Sequence, residues 1–154
     1  MSAILDIPTG RIMAFEEKSA WIMGVLAVAA YTTYAIIVLG MSRAVPLVQV
    51  DYVPAMLWSI GASIVASIVM HVIIGIASPK NADKKDQRDR QIYRMGEYTG
   101  QSFVVAGALA AMLMAMFGFD YFWIANVIYL AFVLSAILST IAKVVSYRRG
   151  MPAW

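Results

Sequence analysis

Four long apolar stretches, few charges within them, and cations gathered in alternate connections predict an all-α integral membrane protein. Its architecture is a bundle of four transmembrane helices arranged as two antiparallel hairpins. The stretches cover residues 19–42, 53–78, 96–119 and 121–143. A helix rises about 1.5 Å per residue, so roughly 20 residues cross a hydrocarbon layer about 30 Å thick with every backbone group bonded internally. The 154-residue chain is 62% hydrophobic and 14% charged, too little polarity to clothe a water-soluble domain. Residues 1–18, the connections and a short tail are too small for a second core, so residues 19–154 read as one membrane domain.

Charge sets the orientation. Arg11 and Lys18 precede the first span, Lys80, Lys84, Lys85, Arg88, Arg90 and Arg94 lie in the 79–95 loop, and Lys143, Arg148 and Arg149 close the fourth. Of the twelve Lys and Arg residues, only Arg43 falls on the other side. The positive-inside rule therefore places both termini and the 79–95 loop in the cytoplasm, N-in/C-in. Cysteine is absent, which excludes disulfides, thiol redox chemistry, thiolate metal ligation and S-palmitoylation. Ala27-Val28-Ala29 has the small-x-small form of a signal cleavage site. The segment before it is net negative, however, and the apolar run continues past it, so a span is expected there and not a cleaved signal.

Taken in order, residues 1–18 hold a turn at Ile7-Pro8-Thr9-Gly10, followed by Arg11 to Lys18. That second part reads either as a short amphipathic helix at the interface or as an extension of the first span. Pro54 stands where a first helical turn tolerates proline, so the second helix begins there. Gly118-Phe119-Asp120-Tyr121 leaves room only for a tight reversal, which makes the third and fourth spans antiparallel neighbours. Glu17, Asp51, Glu97 and Asp120 stand near the four helix starts, where a carboxylate complements the helix dipole by about 0.3–1 kcal/mol. Tyr52, Trp58, Tyr121, Phe122 and Trp123 at one boundary and Trp21, Tyr93, Tyr147 and Trp154 at the other are aromatic anchors.

The second span carries Ala55, Ser59, Ser63, Ser67, His71 and Gly75 at four-residue spacing, a slanting stripe that turns about 40° per step. In lipid, small and polar residues let backbones approach and hydrogen-bond across helices. Gly96, Gly100, Gly107 and Ala111 in the third span and Ser135 and Ser139 in the fourth have the same texture and are assigned to helix packing. His71 is the only histidine and, tyrosines aside, the only ionisable group deep in a span. It is either a proton-handling group or a neutral imidazole bonded to a serine or carbonyl. No acid, cysteine or second histidine lies at its depth, so no metal and no cofactor is expected. Asn126 and the Tyr31-Thr32-Thr33-Tyr34 run are further polar intrusions, expected in interhelical hydrogen bonds. His71, Ser59, Ser63, Ser67 and Asn126 form the candidate intramembrane polar site. Met112, Met114 and Met116 are scattered around their helix by two-residue spacing and read as gap fillers rather than soft-metal ligands.

In the 79–95 loop, Asp86 with Arg90 at i,i+4 and Arg94 with Glu97 at i,i+3 predict a charged helix continuing the third span beyond the bilayer. Asp86, Arg88, Asp89, Arg90 and Arg94 are its candidate partner-docking residues. Acids nearly balance the bases here, so no nucleic-acid partner is expected.

Asp86-Gln87-Arg88-Asp89-Arg90-Gln91-Ile92, the later Gly96 and Gly100, Ala125-Asn126 and a closing Tyr147-Arg148-Arg149-Gly150 also carry a likeness. Over residues 80–150 the chain resembles a family of uncharacterised small bacterial four-span proteins with a D-E-R-D-x-x-I loop, A-N in the last span and a terminal Y-R-R-G. Gln87 stands where that pattern has glutamate. The resemblance implies a bacterial inner-membrane protein and carries no activity with it.

The function expected is that of a non-enzymatic accessory or regulatory subunit of a membrane assembly, acting through helix packing. Its partners would be the lipid bilayer and other membrane subunits or a second copy. The alternative is a small oligomeric transporter or channel with a polar path along the second span. An enzyme is disfavoured by the lack of a phosphate-binding glycine loop, a cysteine nucleophile, a histidine pair or a buried carboxylate couple.

Overall fold

The computed structural model describes residues 15–77 and 87–150. Four helices fill these segments: α1 Phe15–Met41, α2 Val53–Ala77, α3 Gln87–Met116 and α4 Tyr121–Arg149. Each is long and apolar enough to cross a membrane. Residues 15–18 are the first turn of α1, so this part of the N-terminal segment extends the span. The predicted turn at Ile7–Gly10 lies outside the described residues. Pro54 falls in the first turn of α2, where its missing N–H has no intrahelical acceptor to lose. A short 3-10 turn, Leu47–Gln49, interrupts the connection between α1 and α2.

The charged continuation of the third span is present, since α3 begins at Gln87, well ahead of residue 96. Its 30 residues span about 45 Å, longer than the hydrocarbon layer alone requires. One expectation is corrected here: Glu97 lies inside α3, and Asp89 occupies the first turn beside the positive end of the dipole. The reversal into α4 is tight. Gly118 takes φ +72°, its N–H donates to the Ala115 carbonyl at 3.2 Å, and Phe119 N–H donates to Met114 at 3.0 Å. This is a Schellman closure, which needs the left-handed conformation that glycine adopts without a Cβ clash.

Packing runs in the order α2, α1, α4, α3, with α1 and α4 central and the closest union between α3 and α4. Glycines explain that closeness. A Cβ on Gly100 would sit 2.7 Å from the Ser135 carbonyl oxygen, one on Gly96 would meet the Lys143 stem at 2.6 Å, and one on Gly107 would run into Ala131. Gly24 does the same between α1 and α4, where a Cβ would lie 2.8 Å from Thr140. The core proper is Tyr34 and Val38 of α1 against Phe122, Tyr129 and Val133 of α4, closed at one end by Val50. By contrast, α2 contains no buried residue among the described residues.

Candidate intramembrane polar site

His71 projects from α2 toward α1. Its Nδ1 lies 2.7 Å from the Ser67 carbonyl oxygen, which can only accept, so Nδ1 carries the proton. Its Nε2 lies 2.5 Å from Ser19 Oγ, and in the neutral ring that nitrogen accepts the serine hydroxyl proton. Both ring nitrogens are thus satisfied within the protein, one by the helix's own backbone and one across the hairpin.

The remaining stripe divides by depth. Ser67 Oγ donates to Met23 Sδ at 3.1 Å, a weak bond that again joins α2 to α1. Ser63 turns back to the Ile60 carbonyl at 2.8 Å and joins nothing. Ser59 lies 3.0 Å from both the Met56 carbonyl and Tyr129 Oη. If Ser59 gives its one proton to the carbonyl, Tyr129 donates to Ser59. Gly75, the last member of the stripe, has open space where a Cβ would be.

Asn126 belongs to a second centre. Tyr34 Oη donates to Asn126 Oδ1 at 2.7 Å, and Asn126 Nδ2 donates to the Phe122 carbonyl at 2.7 Å. Tyr34 also meets Tyr129 edge to face with ring centroids 5.2 Å apart, and Tyr31 meets Tyr129 at 5.4 Å. Ser59, Tyr129, Tyr34 and Asn126 therefore form one connected group across α2, α4 and α1. His71 stands twelve residues from Ser59, about 18 Å along the helix, tied only to Ser19 and Ser67. The residues predicted as one site are two. Thr33 is a further correction, because its hydroxyl bonds to the Ala29 carbonyl of its own helix at 2.8 Å.

At the basic end of the bundle a layer of polar pairs crosses between helices. Lys143 Nζ lies 2.8 Å from Glu97 Oε1 and 4.2 Å from the centre of the Tyr93 ring. Ser139 donates to the same Glu97 oxygen at 3.3 Å. Glu97 thus pairs across to α4, and the predicted Arg94–Glu97 pair is not formed. Arg148 Nε lies 3.1 Å from the buried Glu17, and Tyr147 Oη donates to Asp89 at 3.0 Å. Of the docking candidates, Asp89 is turned inward, Arg88, Arg90 and Arg94 are exposed, and Asp86 lies outside the described residues. Sequence reasoning missed Lys143, Tyr147 and Arg148 as partners. Their mates lie 46, 58 and 131 positions away, beyond any local spacing rule.

Gly96, Gly100 and Gly107 meet Lys143, Ser135 with Ser139, and Ala131, and Ala111 is buried. No known protein family, curated protein or solved structure matches this chain.

Proposed function

We propose that this protein is a non-enzymatic accessory or regulatory subunit of a membrane assembly, held to its partner by helix packing. In this reading it sits in a bacterial inner membrane with both termini cytoplasmic, as the resemblance and the cation distribution imply. The observation that carries the proposal is the state of α2, a membrane-length helix that packs mainly on α1, reaches α4 through Ser59 and Tyr129, and has no fully buried residue among the described residues. Its outer face presents Leu57, Trp58, Gly61 and Val65, with open space beside Gly61. Four glycines inside this protein, Gly24, Gly96, Gly100 and Gly107, each let a neighbour come within contact distance. Gly61 has no such neighbour, and a partner helix seated there would supply one. The transporter alternative has less support, because His71, Ser59 and Ser67 are engaged in bonds between helices.

The test is purification in mild detergent followed by native mass spectrometry. A stoichiometric second chain is expected, and Gly61→Leu should release it while helical content stays unchanged. A monodisperse monomer in the native membrane extract would overturn the proposal.

A further inference from the structure

Trp21 follows Ser19 by two residues, about 200° around α1, so it faces away from α2. On that flank the surfaces of α1 and α4 part and leave an open groove of about 350 Å³, lined by Trp21, Gly24, Val25 and Val28 on one side and Ile137 and Ile141 on the other. Thr140 at its floor commits its hydroxyl proton to the Ala20 carbonyl at 3.1 Å. The lining is hydrocarbon along its length.

Both walls end in a cation. On α1, Lys18, Trp21, Val25 and Val28 follow one another at i, i+3, i+7 and i+10, the spacing of one helix face. On α4, Ile141 and Arg148 are seven residues apart, two turns along the face that lines the groove. Arg148 spends Nε on Glu17 yet leaves its side chain 54% exposed, and Glu17 is the chain neighbour of Lys18. Lys18 is exposed and forms no ion pair among the described residues. Glu16 lies two residues from Lys18, about 200° around the helix, and faces elsewhere.

We propose that this groove binds one anionic phospholipid from the leaflet at the basic end. The phosphate sits between Lys18 and Arg148, Trp21 marks the boundary, and an acyl chain runs along Val25, Val28, Ile137 and Ile141. Two cations at the mouth and carbon beyond match an amphiphile with a negative head and a hydrocarbon tail. The site needs no protein partner, so it stands or falls separately from the accessory-subunit proposal.

The experiment adds phosphatidylglycerol or phosphatidylcholine to the delipidated full chain in nonionic detergent, with native mass spectrometry and thermal unfolding as readouts. The expected result is a single saturable phosphatidylglycerol adduct that raises the Tm, with no adduct from phosphatidylcholine at the same concentration. Lys18→Gln should weaken the adduct about fivefold, the effect of losing one basic residue at a membrane surface. Val28→Trp, which adds bulk on the open side of the groove, should weaken it as well, while Arg94→Gln on α3 should leave it unchanged. Equal retention of the two lipids, retention unaffected by both groove variants, or equal loss with Arg94→Gln would each overturn the proposal.

Discussion

A single imidazole illustrates how polar groups are accommodated in a lipid-facing bundle. A buried polar atom left without a partner costs about 1–3 kcal/mol, and His71 avoids this by giving Nδ1 to a carbonyl on its own helix and Nε2 to Ser19. Among the described residues, no buried side-chain nitrogen or oxygen lacks a partner. A double-mutant cycle on Ser19→Ala and His71→Ala, read by thermal unfolding, should give a coupling of about 0.6–1.7 kcal/mol, the range for hydrogen bonds between membrane helices. Zero coupling would mean that the bond contributes nothing. The partner of Nε2 was not legible in the sequence, because Ser19 Oγ lies 52 positions away on another helix.

Between elements, the closeness of α3 and α4 depends on residues without side chains. Gly100 is the sharpest case, since the obstacle to a Cβ is the Ser135 backbone oxygen, which cannot rotate away. Gly100→Leu should lower stability by about 1–3 kcal/mol or more through overpacking, measured by chemical or thermal unfolding in detergent. Gly61→Ala should be neutral or stabilising in the isolated chain, by up to about 1 kcal/mol from helix propensity, because nothing stands nearby. The pair of substitutions separates a packing glycine from a free one. Lys143 adds a second tie between the same helices, but Glu97 is 54% exposed, so the ion pair contributes at most about 1 kcal/mol. The packing role of Gly96, Gly100 and Gly107 was legible in the sequence because four-residue spacing of small residues is a local pattern. The Glu97 pairing was misread for the same reason: a local rule offered Arg94 at i,i+3, whereas the tertiary arrangement supplied Lys143.

For the molecule as a whole, charge is segregated along the bundle axis. Arg88, Arg90, Arg94, Arg148 and Arg149 gather at the end that carries Phe15 and Arg149, with Arg43 at the other end. The absence of cysteine makes the orientation directly measurable with single introduced thiols. In intact cells a membrane-impermeant maleimide should label Arg43→Cys from outside and reach Arg94→Cys only after permeabilisation; the reverse pattern would invert the topology proposed above. At the basic end Glu17 and Asp89 are turned onto Arg148 and Tyr147, while Glu97 pairs with Lys143 and stays about half exposed.

The existence of the four apolar helices was determined by the sequence alone, because transfer of an apolar segment into hydrocarbon sums over residues that are neighbours in the chain. Gly118 and Asp120 fixed the reversal between α3 and α4 in the same local way. Only the tertiary structure decided that α1 and α4 form the centre while α2 is left at the edge. It also decided that Ser59 and Asn126 share one polar group while His71 belongs to another. Within lipid no hydrophobic force ranks one helix pair above another, so the order rests on close backbone contacts and hydrogen bonds between residues distant in sequence.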